Sequence, residues 1–566
     1  MKKWQILNNK SKIKSKKFNT DSLINILLAN RGIKTKKQRE DFLNPDMSLV
    51  TPKNVGIDIP SLKKSIKRIR KAIDKKEKII VFGDYDVDGI TGTAIVWETL
   101  NKLSADIMPY IPIRVEEGYG LSKIGINNVL EKFPDTKVII TVDNGIVANQ
   151  AVEFANEKGI DVIITDHHQP AKSLPDAYAT VHTTLVCGAA VAYILSQEIS
   201  NKNSNLELVA LATVADLVPL KGYNRILLSV GLEKLRNTTR PGLLELFSEA
   251  SIKKDEIDVY EIGHVIAPRI NATGRIGDAM DSLRLICTKD SKKAKLLAEN
   301  LGLTNRERQK ITLETVVHAK SLITDKSKKL LFISHEDYQQ GIIGLVAGRL
   351  TEEFYRPSIV LSIGKDYSKA SARSIPGFNI IEFIRESNDF LVDAGGHPMA
   401  AGFTIETKNL LLLQKKLEQL AEEQLAGKNL TKTLRVDCYL DFENLNHELF
   451  AEIQKLKPFG MGNPEPTFIS ENIEIEDMRL VGMDQKHLKV QLSSQTRSDL
   501  HLASDQGRTL KIGGIMFAYD PSLKLKIGDT VDIVYTISNN TWNGNNRLEV
   551  KIKDIRKSKL VKAKQK

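Results

Sequence analysis

The sequence predicts an α/β protein in which a parallel-sheet domain is joined by a long helix to a second α/β domain, followed by a small β-barrel. Apolar runs that read as buried strands alternate with helical patterns over residues 55–240, which is typical of parallel sheets with crossover helices. Residues 292–321 contain few helix breakers and predict the long helix. Residues 431–556 alternate apolar and polar side chains between Gly/Asn turns, the pattern of short barrel strands.

The first domain is organised around three apolar runs that each end in polar side chains. The runs cover residues 79–82, 138–142 and 162–165. In open α/β sheets the ligand site lies beyond the carboxyl ends of the strands, so we expect these polar groups to meet at one edge. They are Asp84, Asp86, Asp88, Asp143, Asp166, His167 and His168.

Carboxylates packed this closely repel one another unless a cation lies among them, so the sequence predicts a divalent metal site. Carboxylates and imidazoles without a thiolate suit Mn²⁺ or a similar ion better than a structural zinc. Two metals held by a shared carboxylate would contact both oxygens of a phosphoryl displacement. The alternatives are a solvated acidic turn for the aspartates and a structural pair for His167 and His168.

A further carboxylate, Asp216, ends the apolar helical run 206–217. A carboxylate at a helix C-terminus lies in an unfavourable position relative to the helix dipole, which a nearby cation would relieve. The residue types alone leave a metal ligand and a solvated helix end equally open. For His182 we expect a structural role.

The net charge of the chain indicates the class of its binding partner, and its cysteines indicate the cellular compartment. The chain has 82 Lys and Arg against 70 Asp and Glu, and its net charge of +12 favours a polyanionic partner, although much of the surplus lies in the two tails. Three widely separated cysteines suggest no disulfide framework, so we expect a reducing cytoplasm. Residues 1–20 lack the apolar core of a secretory signal, and no membrane span is expected.

Several of these segments occur together in one known family. Residues 84–89 read Asp-Tyr-Asp-Val-Asp-Gly, residues 142–145 read Val-Asp-Asn-Gly, and residues 166–168 read Asp-His-His. Together they resemble the DHH phosphoesterase family, and the form of the first motif is most similar to its RecJ branch of single-strand-specific exonucleases. The resemblance runs from about Leu27 to about Arg556. Further matching segments are 110–120, 212–225, 268–275, 395–402 and 458–466.

The resemblance implies a domain organisation with defined boundaries. We expect the N-terminal extension to pack against the first domain, and an OB-fold to follow single strands with a basic groove and stacked aromatic rings. The expected strand-facing residues of that domain are Lys486, His487, Lys489, Phe517 and Trp542. The segments are an N-terminal extension (1–54), a DHH catalytic domain (55–240), a helical connector (241–325), a DHHA1 substrate-binding domain (326–430), an OB-fold domain (431–556) and a basic tail (557–566).

The resemblance also implies hydrolysis of single-stranded DNA from the 5′ end, with release of 5′-mononucleotides, in DNA repair and recombination. Asp143 is the expected bridge between two Mn²⁺ ions, with Mg²⁺ as the alternative metal, and also acts in catalysis. His168 would stabilise charge on the phosphoryl oxygens, and Asp166 would orient the histidines. The expected metal ligands are Asp84, Asp86, Asp88, Asp143, His167 and Asp216.

The expected substrate-binding residues lie in four other segments. Ser371 and Arg373 resemble the family element that binds the terminal phosphate, and Arg114 and Arg275 would complete that pocket. We expect Arg269 and Arg275 to lie in a turn, where guanidinium groups can bind phosphate in bidentate fashion. The remaining expected contacts are Asn271 and His397.

Two segments depart from the family pattern. The loop after His168 is shortened and lacks the Asn-Pro or His-Pro element that family members usually carry there, which leaves the wall of the pocket on that side undefined. Residues 338–340 read Tyr-Gln-Gln where family members often have Trp-His-Pro, so no role of that histidine is transferred.

The resemblance leaves other functions open. One is a DHH phosphodiesterase acting on very short oligonucleotides, which usually lacks the OB-like domain; another is an inactive scaffold, which predicts eroded carboxylates, whereas all are present here. The expected partner is single-stranded DNA, and a single-strand-binding protein and a helicase are further candidates by resemblance alone. We expect a monomer.

Overall fold

The computed structural model describes residues 2–8, 19–202, 204–428, 430–494, 510–540 and 546–558. The chain forms two compact units, one comprising Pro45–Leu430 and the other comprising Met1–Asn44 together with Thr431–Lys566. Trp542, which we expected to face a bound strand, and the basic tail from residue 559 lie outside the described residues. Within the described part of the chain, no helix combines the length and apolar character needed to cross a bilayer.

The described residues of the N-terminal segment include β1 (Lys3–Ile6), α1 (Thr20–Asn30) and α2 (Lys36–Leu43). After it, the first sheet is formed by β2 (Lys78–Phe82), β3 (Ile107–Tyr110), β4 (Thr136–Val142), β5 (Asp161–Asp166) and β6 (Ala179–His182). All neighbouring strands are parallel, in the order β3-β2-β4-β5-β6. The predicted parallel sheet is therefore confirmed.

Helices cover both faces of this sheet. Successive side chains of a strand point to opposite faces, and because the strands are mostly apolar, both faces need to be buried. Ile79 and Val81 contribute to one core, and Ile80 and Phe82 contribute to the other. The helices are α3 (Ile59–Lys75), α4 (Val87–Asn101), α5 (Arg114–Glu117), α6 (Lys123–Lys132), α7 (Asn149–Glu157), α8 (Gly188–Ser200), α9 (Leu206–Ala215) and α10 (Gly222–Arg236).

Residues 241–325 are helical: α11 (Pro241–Glu249), α12 (Val259–Glu261), α13 (Ala267–Ile276), α14 (Ala279–Cys287) and α15 (Ser291–Ser321). The expectation that Arg269 and Arg275 lie in a turn is wrong, because both belong to α13. Helix α15 has 31 residues and is about 46 Å long. Its first half buries Leu297 and Leu301 in the core of the first sheet, and its second half buries Val316 in the next domain, so it is the predicted joining helix.

The second sheet contains β7 (Leu331–His335), β8 (Ser358–Ser362), β9 (Tyr367–Arg373), β10 (Leu391–His397) and β11 (Ala400–Glu406). The order is β10-β11-β9-β8-β7, and only the β7–β8 pair is parallel. Three helices pack on this sheet, α16 (Ile343–Phe354), α17 (Ile380–Arg385) and α18 (Leu410–Gln424). Helix α16 packs on one face of the sheet and helices α17 and α18 pack on the other, while the edge strand β10 is mostly exposed.

The C-terminal elements are β12 (Thr433–Val436), β13 (Cys438–Tyr439), α19 (His447–Gln454), β14 (Phe468–Val481), β15 (His487–Ser494), β16 (Lys511–Met516), β17 (Thr530–Asn540) and β18 (Arg547–Lys557). β14 pairs with both β15 and β17, which closes the barrel β14-β15-β16-β18-β17. The predicted barrel is confirmed.

The N-terminal segment packs differently from our expectation. Leu23, Leu27 and Phe42 are buried in the core of the C-terminal barrel, and β1 pairs in parallel with β12. Only the part after Pro45 joins the first domain, where Val50 enters the core. The expected packing against the first domain is therefore wrong for residues 19–44, whose apolar helix face carried no signal about its partner.

Candidate metal centre and adjacent arginine cavity

The loop between β2 and α4 brings three aspartates to the carboxyl edge of the first sheet. Asp86 caps α4, and its Oδ1 accepts hydrogen bonds from the amides of Asp88 at 2.9 Å and Gly89 at 3.1 Å. A Cβ on Gly89 would lie 2.5 Å from Cβ of Asp84, so only glycine allows α4 to begin this close to the loop. Asp84 and Asp88 are buried.

Asp143 follows β4 in a strained backbone conformation. Its φ is +63°, in the left-handed region that non-glycine residues rarely adopt, at a typical cost of about 1–3 kcal/mol. The first residue of α8, Gly188, lies against its carboxylate, and a Cβ there would be 2.5 Å from Asp143 Oδ1. The start of α8 therefore determines where the Asp143 side chain can lie.

We expect Gly188→Ala to weaken Mn²⁺ binding by about 10–100-fold, the range seen when groups that orient metal ligands are changed. The added methyl group must displace the carboxylate of Asp143, while the helix itself tolerates alanine. Isothermal titration with Mn²⁺ measures the change, and Gly263→Ala is the matched control because the nearest atom to its Cβ is 3.6 Å away. Equal affinities of Gly188→Ala and wild type would contradict the crowding argument.

Asp166, at the end of β5, holds the histidine segment. Its Oδ1 accepts hydrogen bonds from the amides of His167 at 2.7 Å and His168 at 3.1 Å, and lies 2.8 Å from Nδ1 of His168; its Oδ2 accepts from the amide of Ile146 at 2.9 Å. Burial alone would raise the pKa of Asp166, but these hydrogen bonds and the charge of His168 lower it below its usual value. Burial lowers the pKa of His168, but the contact with Asp166 outweighs this effect and raises that pKa to about 9.

Tyr119 was given no role by sequence reasoning, although it belongs to the matching segment 110–120. Its hydroxyl lies 3.1 Å from Nε2 of His168 and 3.4 Å from the carbonyl oxygen of Asp143. Both ring nitrogens of His168 therefore have a polar neighbour. The Glu-Gly-Tyr-Gly sequence of residues 117–120 was the available signal, but nothing in it indicates which group the hydroxyl would contact.

His167 lies among three carboxylates. Its Nε2 is 3.1 Å from Oδ1 of Asp143 and 3.6 Å from Oδ2 of both Asp88 and Asp216. Asp88 also accepts hydrogen bonds from the amides of Gly188 at 2.7 Å and Ala189 at 2.6 Å, at the N-terminus of α8. Burial lowers the pKa of His167, which favours the neutral imidazole that metals bind.

Among the described residues, three groups have ligand atoms within 4.8 Å of one another. Asp143 belongs to two of them and so does His167, which makes these residues the centre of the cluster. The groups are Asp84, Asp86 and Asp143; Asp143, His167 and His168; and Asp88, His167 and Asp216.

The residues present fit divalent cations. Oδ1 of Asp84, Oδ1 of Asp143 and Oδ2 of Asp216 are buried and accept no hydrogen bond. Burial, together with repulsion from neighbouring carboxylates, raises the pKa values of Asp84, Asp86 and Asp143 and raises that of Asp216 to about 8. Such buried carboxylates are costly unless a cation compensates them. These acidic and imidazole groups could therefore bind metal.

A cavity of about 310 Å³ lies beside this cluster. Tyr85, Arg114, Tyr119 and Ser371 are among the residues that line it. Nη1 of Arg373 donates hydrogen bonds to Oγ of Ser371 at 3.1 Å and to the carbonyl oxygen of Ala372 at 2.8 Å. The Arg114 guanidinium lies 4.9 Å from the centre of the Tyr85 ring. The lining of the cavity thus extends from Tyr85, the neighbour of Asp84, to Ser371 on strand β9 of the second sheet.

Arg275 lines an adjoining cavity of about 530 Å³, which shares Tyr85, Arg114 and Gln340 with the first. Its Nη1 donates to the carbonyl oxygen of Gly341 at 3.0 Å. Burial, and then repulsion from Arg114, Arg308 and Arg373, lowers the pKa of Arg275 to about 10. Clustered guanidinium groups that repel one another form a ready anion site.

Three further predicted substrate residues do not line these two cavities. Arg269 forms an ion pair with Glu249 at 2.7 Å and donates to the carbonyl oxygen of Val265. Asn271 accepts a hydrogen bond from the amide of Val87 at 2.9 Å, so it supports the aspartate loop from α13. His397 is exposed on β10, the edge strand of the second sheet.

The two departures from the family pattern have structural partners. His182 Nε2 lies 2.7 Å from the carbonyl oxygen of His168, consistent with the structural role expected for it. The hydroxyl of Tyr338 lies 2.9 Å from Nδ1 of His318, while Gln339 and Gln340 line the larger cavity.

Comparison with known families matches three parts of the chain. The model of the DHH family, N-terminal domain, matches residues 78–218; that of the DHHA1 domain matches 326–423; and that of the RecJ OB domain matches 436–554. The single-stranded-DNA-specific exonuclease RecJ of Bacillus subtilis is 35% identical over 571 residues, which cover 98% of this chain and 70% of that protein. The chain belongs to the RecJ family.

Solved RecJ structures have the same fold. The crystal structure of RecJ in complex with Mn²⁺ from Thermus thermophilus has a TM-score of 0.80 and 27% identity, and the match covers 98% of this chain and 80% of that one. The Mg²⁺ complex of RecJ from the same organism has a TM-score of 0.76 and 25% identity, with 98% and 79% coverage. RecJ from T. thermophilus has thus been crystallised in complex with Mn²⁺ and in complex with Mg²⁺.

Proposed function

We propose that this chain is a metal-dependent exonuclease that degrades single-stranded DNA from the 5′ end and releases 5′-mononucleotides. The observation that carries the proposal is the juxtaposition, within one compact unit, of an acidic and imidazole cluster with two adjoining cavities, together called the arginine cavity, whose lining includes Arg114 and Arg275. The first suits cations at a scissile phosphodiester, and the second suits an anionic strand end. The B. subtilis relative, a single-stranded-DNA-specific exonuclease, supports this choice of substrate.

The proposed metal ligands are Asp84, Asp86, Asp88, Asp143, His167 and Asp216, for two Mn²⁺ ions or, alternatively, Mg²⁺. Divalent cations, when bound, supply Lewis-acid stabilisation of the phosphoryl oxygens and activate water for attack. Asp143 is proposed as the shared ligand because it belongs to two of the three groups of close ligand atoms. The left-handed backbone of Asp143 and its crowding by Gly188 restrict where this carboxylate can lie, which supports the proposed role.

His168 is proposed to stabilise negative charge on the phosphoryl oxygens. Asp166 contacts Nδ1 of this imidazole and raises its pKa to about 9, which favours the protonated form at neutral pH in the metal-free protein. Nε2 then faces the hydroxyl of Tyr119, which is one of the residues that line the arginine cavity. A cationic donor fixed in this way stabilises developing charge without reorganisation.

Arg114, Arg275, Ser371 and Arg373 are proposed to bind the 5′-terminal phosphate, which sets the polarity of degradation. Arg269, Asn271 and His397 remain predicted substrate residues. The contacts of Asn271 support a positioning role for it, and those of Arg269 favour a structural ion pair.

We expect Arg373→Gln to lower the preference for 5′-phosphorylated over 5′-hydroxyl ends by about tenfold or more, since a charge-assisted hydrogen bond contributes about 1.5–3 kcal/mol. Competition between the two strands in one reaction measures the preference. Arg385→Gln is the matched control, because Arg385 is exposed on α17 of the same domain. An unchanged preference in Arg373→Gln would exclude this pocket as the phosphate site.

The proposed function is tested by digestion of 5′-labelled and 3′-labelled single strands with and without Mn²⁺. We expect the 5′ label to appear at once as a mononucleotide and the 3′ label to remain on progressively shorter strands. Early loss of the 3′ label would contradict the polarity, and cleavage without metal would contradict the mechanism. A series of strand lengths tests the alternative, a phosphodiesterase that acts only on very short oligonucleotides.

Several coarser features belong to the same proposal. We propose a monomer in the cytoplasm acting in DNA repair and recombination, with a single-strand-binding protein and a helicase as candidate partners. All three cysteines are free, which supports a reducing compartment. The division into segments 1–54, 55–240, 241–325, 326–430, 431–556 and 557–566 is proposed as the functional organisation.

A further inference from the structure

A row of exposed cations lies on α3, in the first domain but outside the metal centre. Lys63, Lys67, Lys71 and Lys75 follow one another at four-residue intervals. Residues at this spacing lie on one side of a helix, about 6 Å apart along its axis. All four are exposed, and Arg70 extends the row on its flank.

Neighbouring carboxylates do not neutralise this row. Asp74 is the only acidic residue in the sequence of α3, all of which is described. Glu77 and Asp161 are both engaged by the buried Arg68, at 2.6 Å and 2.5 Å. The row therefore keeps a strong positive charge.

An open depression of about 860 Å³ runs beside the row. Cations dominate its lining, and the carboxylates that line it are Asp74 and Glu198. Tyr178 and Ile66 form its apolar part, and the ammonium group of Lys64 lies 4.7 Å from the centre of the Tyr178 ring. This apolar part is small, and Lys64 partly covers it. It therefore offers little contact surface to an acidic peptide that binds through large apolar side chains.

Helix α3 begins near the edge of the sheet that carries the metal centre. Oγ of Ser61 accepts a hydrogen bond from the amide of Thr180, in the strand that ends at His182. Farther along the helix, Arg68 contacts Asp161 at the opposite end of the sheet, where β5 begins. The cationic row therefore leads away from the metal edge across the sheet.

We propose that the α3 row binds the phosphate backbone of single-stranded nucleic acid as a second contact surface, separate from the metal centre and the arginine cavity. The choice of a single strand rests on the proposed function and on shape: a flexible strand can follow a straight row of cations, whereas the phosphates of a duplex keep a fixed helical path. Its contacts are electrostatic and independent of base sequence.

The test compares a neutralised variant, Lys63→Gln/Lys67→Gln/Lys71→Gln, with a matched control, Lys292→Gln/Lys293→Gln/Lys295→Gln, which removes three exposed lysines from α15. Anisotropy of a long labelled single strand is measured in chelator over a range of salt concentrations. We expect the slope of log K against log salt to fall by about 2 in the α3 variant, since each lost phosphate contact removes about 0.7. The control should keep the wild-type slope, and circular dichroism verifies that both variants fold.

Three outcomes would overturn the proposal. One is a wild-type slope in the α3 variant, and another is an equal loss in the control. In the third, the α3 variant still binds a single strand like wild type but binds poly-glutamate or a blunt duplex more weakly. That result would assign the row to one of these other partners. Cleavage of a strand too short to reach α3 should be equal in all three proteins. If wild type cuts no single strand of any length in Mn²⁺, the proposed function fails, while the binding comparison in chelator still stands.

Discussion

Asp143→Asn should abolish Mn²⁺-dependent cleavage of single-stranded DNA, with a loss well beyond the about 10–100-fold that changes around a metal's ligands typically cause. Asn accepts the left-handed backbone of this position and fills the same volume. The substitution therefore removes the charge of the proposed shared ligand without changing the shape of the site. Binding of the strand in chelator should stay near the wild-type value, because the arginine cavity is intact.

A stability measurement separates this effect from misfolding. Without metal, Asp143→Asn should be at least as stable as wild type, since Asp143 is buried beside Asp84, Asp86, Asp88 and Asp216 and these neighbours repel its charge. Added Mn²⁺ should raise the melting temperature of wild type more than that of the variant. Asp176→Asn, a change at an exposed position, should behave as wild type in both assays. Normal cleavage by Asp143→Asn would exclude the proposed metal site.

The same cluster predicts a pH dependence of the metal-free protein. Carboxylates with raised pKa values hold their protons to higher pH when folded than when unfolded, so their contribution to stability is present at low pH and is lost as pH rises. For Asp216 the window runs from its ordinary value near 3.8 to about 8. The free energy of unfolding in chelator should therefore decline over this range, and less steeply in Asp143→Asn, which has one fewer of these carboxylates.

Arg31→Met should destabilise the unit that contains the barrel by about 3–5 kcal/mol, the usual result of removing one partner of a buried ion pair. Arg31 is 4% exposed. Its guanidinium donates to Oδ1 of Asp437 at 3.1 Å, to Oδ1 of Asn463 at 2.8 Å and to the carbonyl oxygen of Pro464 at 2.6 Å. Without it, Asp437 keeps a buried charge that has lost its cation.

Hydrogen exchange measures this change in the intact chain. Amides of β14 should exchange more than about 100-fold faster in Arg31→Met, because the free energy of opening falls by several kcal/mol. Those of β4, in the other compact unit, serve as an internal reference. Arg435→Met, at an exposed position of β12, should change exchange little. Unchanged protection of β14 in Arg31→Met would mean that N-terminal packing contributes little to this unit.

The larger organisation of this protein follows from local patterns in the sequence. Apolar runs of strand length predicted the first sheet. The polar residues that follow these runs predicted where Asp84, Asp143 and His167 would meet, because the carboxyl ends of parallel strands lie at the same edge of a sheet. A breaker-free stretch predicted α15, and period-two alternation predicted the barrel. The motif around Asn463 was recognised by its resemblance to the family, but the sequence did not show that Asn463 accepts a hydrogen bond from Arg31.

Other features were decided by tertiary contacts between residues far apart in the chain. Asn271 reaches the amide of Val87 across 184 positions, and Arg31 reaches Asp437 across 406. Sequence reasoning did not predict the contact of Asn271 with the aspartate loop, and it assigned the N-terminal helices to the wrong domain. A side chain's type shows which partners it can take but not which one the fold supplies. The sequence by itself therefore determined the sheets and the chemistry at their edges. Only the tertiary structure decided which amides, carboxylates and arginines face one another, since burial and hydrogen bonding are set by the packing of the whole chain.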